Sequence, residues 1–506
     1  MKTISILVLI QIISIFILQS LSLSNASAWH ARRNALLRGN GDKDASKYEM
    51  VKNIEIGHDN NDNDDDNNNN EQDFEIKDIH LAFSDTIDTY IFSFTTGNKI
   101  DSPSVKLSIN NKDNFFIPSV TTISSSRKNE QKLDNEMETL AQNEFYTFPP
   151  TYKSQYFHHL KINHLKPDTR YFYQVGDNSK NQKNQMWSEV YSFKTPPSSQ
   201  GHNGNDNNFK VNVAIVGDLG QTKVSQKTLD LIKERKDRVN AIIIAGDLSY
   251  ADCDQSRWES WFDFVQHHHI SSSIPIMVAP GNHDVEGRHM CGNNDIKEEF
   301  LAYRRRFYMP TAQFAEFRNT YYSFEISQLA HFVILCPYCP YDLQSKQYKW
   351  FEEDLKKMNR KETPWLFVVT HEPFYCSNKA HYQEAEEMRK VYEPLFNRYH
   401  VNIVFSGHVH SYERTHAIYS GKVVRPTSTN EELQKKQEDG TVYITVGDGG
   451  NREGLAIGFF DDKPEWSAVR ERKYGFGELE ITPKYASWIW TCDEDPNYHD
   501  KVVLKL

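Results

Sequence analysis

The strongest constraint on the fold is a series of short apolar segments that each lead into a side chain able to bind a metal. Residues 211–216 precede Gly217 and Asp218, and residues 241–245 precede Gly246 and Asp247. The series continues with 276–279 before Asn282, 367–370 before His371, and 403–406 before His408 and His410. Short apolar runs of this kind are typical of buried strands, and ligand sites in open α/β sheets lie just past the carboxyl ends of the strands. We therefore expect these side chains to converge.

Helical patterns lie between these runs. Helices are predicted over 224–234, 258–266, 344–358 and 383–398, and further strands over 274–278 and 332–335. Alternation of strands and helices indicates an α/β domain, which we place at residues 209–506.

The preceding part of the chain follows a different rule. Apolar and polar residues alternate with period two in short runs separated by turn residues, which favours a β-sandwich over residues 74–197. Residues 165–171 resemble the corner of fibronectin type III domains, where a tyrosine hydroxyl bonds to nearby backbone. Tyr171 would be that tyrosine. Residues 198–208 are predicted to be a linker.

The N-terminus has the pattern of a signal peptide. Lys2 precedes a mostly apolar stretch, and Ala26-Ser27-Ala28 forms a small-residue cleavage site, so residues 1–28 are predicted to be removed. The alternative is a retained signal anchor, although polar residues interrupt the apolar stretch. We expect a secreted or endolysosomal protein without a stable membrane anchor.

Residues 29–73 are predicted to be disordered. Their centre, residues 59–70, is almost entirely Asp and Asn and lacks the apolar surface that folding requires. A solvated linker is favoured here over weak cation binding or a propeptide. The formal net charge of the whole chain is -11, which argues against a nucleic-acid partner.

The converging donors define a chemistry. Carboxylates, an amide oxygen and imidazoles together suit hard to borderline cations. One carboxylate can bridge two cations about 3.5–4 Å apart, as in two-metal hydrolases. The donor set therefore predicts a dinuclear site that binds phosphate and activates water.

The motifs resemble those of the purple acid phosphatases, a family of calcineurin-like metallophosphoesterases. They are Gly217-Asp218-Leu219-Gly220, Gly246-Asp247-Leu248-Ser249-Tyr250, Gly281-Asn282-His283-Asp284, His371 and Gly407-His408-Val409-His410. The resemblance to the two-domain plant and fungal form covers roughly Ile79 to the C-terminus. It implies a fibronectin III-like β-sandwich followed by an α/β metallophosphoesterase domain with mixed sheets sandwiched between helices.

The resemblance also implies a division of the ligands. Asp218, Asp247, Tyr250 and His410 would hold Fe(III), with Asp247 as the bridge. The second site, for a divalent Zn, Mn or Fe ion, would be completed by Asn282, His371 and His408. A phenolate suits ferric iron, so Tyr250 separates this family from other metallophosphoesterases. The alternative for Tyr250 is a packed aromatic residue at a strand end.

By the same resemblance, the chain is an acid phosphatase in which a metal-bound hydroxide attacks phosphate monoesters. Its partners would be phosphorylated small molecules or phosphoproteins. A phosphodiester, nucleotide pyrophosphate or phytate substrate is an alternative, and a non-catalytic adhesion module is a third interpretation. The oligomeric state is open.

The resemblance further implies that His283 and His381 are catalytic residues that bind phosphate and assist proton transfer to the leaving oxygen. The alternative for His381 is an exposed histidine at a helix start. Ala380 occupies a position where the enzymes it resembles tend to carry a second histidine, which leaves substrate preference and pH optimum open.

Some residues outside these motifs also carry expectations. The Cys336-Pro-Tyr-Cys339 spacing favours a disulfide or two buried thiols over a metal site, and the pairing of the six cysteines is open. Arg304, Arg305 and Arg306 are predicted to lie on an exposed helix face. Residues 267–269, all histidine, are predicted to lie at a helix end.

Overall fold

The computed structural model describes residues 75–109, 112–120, 136–179, 186–199, 209–310, 318–427, 432–433 and 440–506. The predicted signal peptide, the Asp/Asn-rich segment and most of the predicted linker lie outside the described residues.

The first part of the described chain is a β-sandwich. Its strands are β1 (Ile76–Phe83), β2 (Tyr90–Thr96), β3 (Pro103–Ile109), β4 (Ser119–Val120), β5 (Glu136–Glu144), β6 (Thr147–Phe148), β7 (Tyr152–Lys153), β8 (Tyr156–Asn163), β9 (Arg170–Asp177) and β10 (Tyr191–Lys194). One sheet has the order β1-β2-β8-β5-β4 and the facing sheet the order β10-β9-β3. Alternate apolar side chains of both sheets, such as Phe92 and Tyr173, meet in the core. This confirms the predicted sandwich.

The tyrosine corner is also confirmed. The backbone N–H of Lys166 donates to the Tyr171 hydroxyl at 2.8 Å. The ring of Tyr171 is fully buried and stacks on Phe193. The contact fixes the turn that leads into β9.

The second part is an α/β domain. Its strands are β11 (Val211–Val216), β12 (Ala241–Ile244), β13 (Ile276–Val278), β14 (Tyr322–Ile326), β15 (Ala330–Ile334), β16 (Trp365–Val369), β17 (Ile403–Ser406), β18 (Tyr412–Tyr419), β19 (Lys422–Arg425), β20 (Glu432–Leu433), β21 (Thr441–Val446), β22 (Ser467–Glu471), β23 (Gly475–Ile481), β24 (Tyr485–Cys492) and β25 (His499–Lys505). Its helices are α1 (Lys223–Lys233), α2 (Ser256–His267), α3 (Arg288–Cys291), α4 (Leu301–Arg306), α5 (Lys346–Lys357) and α6 (Glu386–Arg398), with a short 3₁₀ helix at Asn282–Asp284.

Two mixed sheets form the centre of this domain. One has the order β13-β12-β11-β23-β24-β25-β20, and the other has the order β14-β15-β16-β17-β21-β18-β19, with β22 paired to β18. The strands β11, β12 and β13 are parallel to one another, as are β15, β16, β17 and β21. Their residues are almost completely buried, as expected for strands covered on both faces. The carboxyl ends of both parallel groups meet at one edge.

The predicted exposure of Arg306 is wrong. Arg304 and Arg305 keep partly exposed side chains on α4, but Arg306 is only 1% exposed. Its guanidinium reaches the sandwich, where it lies 3.4 Å from Asp78 and donates to the hydroxyl of Tyr152 at 2.9 Å. The sandwich covers this end of α4, which a local sequence pattern does not reveal. The three histidines at 267–269 lie at the end of α2, as predicted, and His267 is its last residue.

Among the described residues, no helix is long and apolar enough to cross a membrane. One disulfide joins Cys253 to Cys291 and so ties the loop after β12 to α3. Cys336, Cys339, Cys376 and Cys492 are buried thiols.

Candidate metal centre

The centre lies where the loops after β11, β12, β16 and β17 meet. The backbone N–H of Asp218 donates to the carbonyl of Gly246 at 3.0 Å, which joins the first two loops. The N–H of Gly407 donates to the carbonyl of His371 at 3.0 Å and joins the other two. These hydrogen bonds hold the four strand ends together in two pairs.

Glycine is required at the closest of these approaches. Gly246 has a φ of +90°, and a Cβ there would lie 2.2 Å from Nδ1 of His371. A Cβ on Gly281 would lie 2.0 Å from Oδ1 of Asp247. Both distances are far below contact, so only glycine lets the loops pack this tightly. The following residue, Asp247, also has a positive φ of 54°.

One side of the centre is formed by a phenol, a carboxylate and an imidazole. The hydroxyl of Tyr250 donates to Oδ1 of Asp218 at 3.2 Å and lies 3.1 Å from Nε2 of His410. That Nε2 is itself 3.3 Å from Oδ1 of Asp218. Nδ1 of His410 is held by the carbonyl of Gly454 at 2.9 Å, which leaves Nε2 directed at the centre. Tyr250 and Asp218 are fully buried.

The other side is formed around His371. Its Nε2 lies 3.1 Å from Oδ1 of Asn282 and 3.1 Å from Oδ2 of Asp247. Its Nδ1 donates to the carbonyl of Ala245 at 2.7 Å, which orients the ring as second partners of metal-bound histidines do. The ligand atoms of Asp247, His371 and His408 all lie within 4.8 Å of one another.

The structure thus brings all the predicted ligands together. Nε2 of His371 is 4.0 Å from Oδ1 of Asp218, so the two sides are in contact, with Asp247 on the His371 side. The division of these ligands between a ferric and a divalent site stays a prediction, as does the bridging role of Asp247.

These residues fit a pair of cations. Among the described residues, the ion-pair partners of the buried Asp218 and Asp247 are histidines only. Burial first, and then the Asp218 carboxylate, raises the pKa of the Tyr250 hydroxyl well above its usual value. A bound trivalent cation reverses that preference, because its charge stabilises the phenolate. Oxygen and imidazole donors crowded around buried carboxylates are the chemistry that such cations require.

His283 lies beside this centre. Its Nδ1 is 2.5 Å from Oδ1 of Asp252, and its Nε2 lies 3.9 Å from Oδ2 of Asp247 and 3.5 Å from Oε1 of Glu453. The backbone N–H of His283 also donates to Oδ1 of Asp247 at 2.8 Å. The imidazole is therefore oriented with Nε2 toward the predicted metals.

His381 lies on the opposite side, partly exposed, in the loop before α6. Its ring centroid is 4.0 Å from that of His408. One oxygen of Glu384 joins the two rings, at 3.1 Å from Nδ1 of His381 and 2.9 Å from Nε2 of His408. The predicted position of His381 near the ligands is thus observed, while its catalytic role stays a prediction.

Three carboxylates of the centre had no predicted role. Asp252 orients His283, and Glu384 joins His381 to His408. Asp284 accepts the backbone N–H groups of Asp247, Leu248 and Gly281 and so fixes two ligand loops together. A signal existed for Glu384, because it follows His381 by three residues. The contact of Asp252 with His283 spans 31 residues and has no local signature.

The fold and the centre together define a calcineurin-like metallophosphoesterase. Residues 211–412 match the family model described as calcineurin-like phosphoesterase. Residues 76–195 match the purple acid phosphatase N-terminal domain, and residues 440–501 match the iron/zinc purple acid phosphatase-like protein C model.

The relatives place the chain more narrowly. It is 41% identical over 345 residues to purple acid phosphatase 21 of Arabidopsis thaliana, covering 68% of this chain and 70% of the relative. It is 35% identical over 351 residues to the Fe(3+)-Zn(2+) purple acid phosphatase 12 of the same plant, covering 68% and 70%. The chain belongs to the purple acid phosphatase family and is a metal-dependent phosphatase.

A solved structure agrees in fold. The purple acid phosphatase PPD1 from yellow lupin (Lupinus luteus) seeds superposes with a TM-score of 0.68 at 23% identity, covering 85% of this chain and 74% of that chain.

Proposed function

We propose that the protein is an acid phosphatase that hydrolyses phosphate monoesters at an Fe(III)–M(II) pair. Asp218, Asp247, Tyr250 and His410 hold the ferric ion, and Asn282, His371 and His408 complete the divalent site, which takes Zn, Mn or Fe. The observation that carries the proposal is the hydroxyl of Tyr250, placed within 3.2 Å of Asp218 and 3.1 Å of His410. A phenol at that point distinguishes a ferric site from a purely divalent one.

When bound, the metal pair supplies Lewis acidity toward phosphate oxygens and lowers the pKa of water. The residues of the chain hold the ligand loops in place around the metals. Gly246 and Gly281 permit the ligand loops to touch, and Asp284 accepts three backbone N–H groups of these loops. Burial, and then the neighbouring Asp247 carboxylate, raise the pKa of Asp284 above its usual value.

His283 is proposed to donate a proton to the leaving oxygen through Nε2. Burial lowers the pKa of His283, but the carboxylates of Asp247 and Asp252 outweigh burial and raise it to about 10. Asp252 accepts from Nδ1, which leaves the Nε2–H directed into the centre. An oriented imidazolium is suited to protonating an alkoxide as it departs.

His381 is proposed to bind the phosphate from the other side. It is partly exposed at the mouth of the centre, and its ring lies against that of His408. Glu384 accepts a hydrogen bond from Nδ1, which leaves Nε2 available to a phosphate oxygen.

We also propose secretion or endolysosomal delivery, directed by residues 1–28. This part of the proposal rests on the sequence pattern, since those residues lie outside the described structure. Phosphorylated small molecules or phosphoproteins are the proposed substrates.

The substitution Tyr250→Phe tests the ferric assignment. A tyrosinate on Fe(III) absorbs visible light, so the purified protein should be coloured and the variant should lose that band while keeping its fold. Visible absorption, circular dichroism and metal content measure the three quantities. Tyr382→Phe is the matched control, because Tyr382 is 49% exposed near the same centre and should leave the band unchanged. An iron-containing Tyr250→Phe variant with the wild-type band would refute the assignment.

A further inference from the structure

Two cysteines lie on the loop that leaves β15 beside the metal centre. Cys336 and Cys339 are both buried, and their Sγ atoms are 2.6 Å apart. A disulfide bond is about 2.05 Å long, so bond formation requires the sulfurs to approach by only about 0.5 Å. The pair is thus already placed for a covalent link.

The backbone around Cys336 is held by a helix. The side-chain oxygen of Gln347, on α5, accepts the N–H of Cys336 at 2.7 Å, and its amide nitrogen donates to the carbonyl of Cys336 at 3.0 Å. Gln347 is itself 1% exposed. Because this anchor fixes one end of the loop, the link can form without displacement of β15 or α5.

A cavity gives access to one member of the pair. It has a volume of about 230 Å³ and is lined by Cys339 together with Tyr321, Pro340 and Lys346. Cys336 does not line it. A reagent entering from solvent therefore meets Cys339 before Cys336.

We propose that Cys336 and Cys339 are a reversible dithiol–disulfide site that exchanges with small thiols and disulfides such as glutathione. The thiolate of Cys339 attacks an external disulfide, forming a mixed disulfide and releasing one thiol. The thiolate of Cys336 then attacks Sγ of Cys339 and releases the second thiol. The protein loses two protons and two electrons, and the external disulfide gains them as two thiols.

The site is connected to the metal centre through the residue between the cysteines. The ring of Tyr338 lies 6.1 Å from that of His371, and Tyr338 is 4% exposed. Within the described structure its hydroxyl has no hydrogen-bond partner. Formation of the disulfide restrains the loop that carries Tyr338 and so holds its ring in place beside His371. This consequence rests on the proposed function, whereas the disulfide itself does not.

Mass spectrometry tests the covalent part on the intact, metal-loaded protein. The protein is equilibrated in glutathione buffers from fully reduced to fully oxidised, quenched with acid, unfolded, and alkylated with iodoacetamide. Trypsin then releases residues 319–346, a peptide whose cysteines are Cys336 and Cys339 alone. We expect this peptide to change from doubly alkylated to unalkylated and lighter by two hydrogens as the buffer becomes oxidising. The peptides with Cys376 and Cys492 serve as internal controls and should stay alkylated throughout.

In the wild type, full alkylation of residues 319–346 in the most oxidising buffer would overturn the proposal. Glutathione retained on Cys339 of the wild type would overturn it as well. The Cys336→Ser variant should trap the mixed disulfide at Cys339, whereas the Cys339→Ser variant should trap little, because Cys336 does not line the cavity.

Enzyme kinetics test the coupling between the cysteine pair and the metal centre. Reduction of the wild type should raise KM for p-nitrophenyl phosphate by roughly two-fold, and the KM of Cys339→Ser should not respond to reduction. Equal KM values for the disulfide and dithiol forms of the wild type would overturn the coupling through Tyr338.

Discussion

At the residue scale, the centre depends on side chains that the local sequence identifies and on partners that it does not. Asp218, Asp247 and His371 were predictable because each follows a buried strand, where ligand residues of α/β domains collect. Tyr250 was predictable from its distance to Asp247 within a recognisable motif. The Asp252–His283 contact was not, because it depends on how two loops cross in space.

Substitution of Asp252 tests whether the orientation of His283 matters. In Asp252→Asn the charged acceptor of Nδ1 is lost, so we expect kcat to fall roughly 10- to 100-fold while metal content is retained. The pH profile of kcat should also shift, because the charge beside the imidazole is removed.

Asp254→Asn is the matched control for that variant. Asp254 is exposed in the same loop and bonds Ser256 rather than a residue of the centre, so kinetics should be unchanged. An Asp252→Asn enzyme with the wild-type kcat and pH profile would show that His283 needs no such partner.

At the element scale, the short parallel strands were predicted well because they are buried on both faces. The predicted strand at 211–216 is β11 in full, and the one at 403–406 is β17 in full. Helix ends differ by a few residues, as for the predicted 383–398 against α6. The pairing of β11 with β23 could not be predicted, because it joins Val211 to Ile481 across most of the domain.

The packing of β15 on α5 leads to a pH-dependent prediction. Nε2 of His331 lies 2.8 Å from Asp354, and Nδ1 lies 3.5 Å from Glu325. Burial lowers the pKa of His331, but these carboxylates outweigh burial and raise it to about 9. The protonated histidine therefore stabilises the folded state fully below its unfolded pKa of about 6.5. That contribution is lost as the pH rises from there to about 9.

His331→Gln should remove this part of the pH dependence. Urea unfolding at a series of pH values should show wild type losing stability between pH about 6.5 and 9 relative to the variant. Asp354→Asn, which removes the closer partner of His331, should likewise reduce the change in the free energy of unfolding with pH. Identical pH slopes for wild type and His331→Gln would contradict the assignment.

At the scale of the whole molecule, the sandwich and the catalytic domain share buried contacts. The backbone N–H of Leu81 donates to the carbonyl of Ser271 at 3.0 Å. The hydroxyl of Tyr173 donates to the backbone carbonyl of Ser272 at 2.7 Å. Arg306 extends this contact to Asp78 and the hydroxyl of Tyr152. Its burial was not predictable from three consecutive arginines, because the covering surface belongs to another domain.

Removal of Arg306 should therefore destabilise the molecule strongly. Arg306→Met leaves Asp78 and the Tyr152 hydroxyl without a buried cation, so we expect a loss of about 3 kcal/mol in the free energy of unfolding. Arg305→Met is the matched control, because Arg305 is partly exposed and lies 3.7 Å from Glu298. The control should cost less than about 1 kcal/mol. Equal losses of unfolding free energy for the two variants in chemical denaturation would show that the buried Arg306 contact stabilises the fold no more than the exposed Arg305 contact.

Anomalous diffraction from crystals of the metal-loaded protein, measured on both sides of the iron edge, tests most directly whether Tyr250 is a ligand of a ferric ion. We expect an iron peak bounded by Tyr250, Asp218 and His410, with a second metal peak bounded by Asn282, His371 and His408. Stoichiometric metal found away from these side chains, or iron without Tyr250 as a ligand, would contradict this expectation.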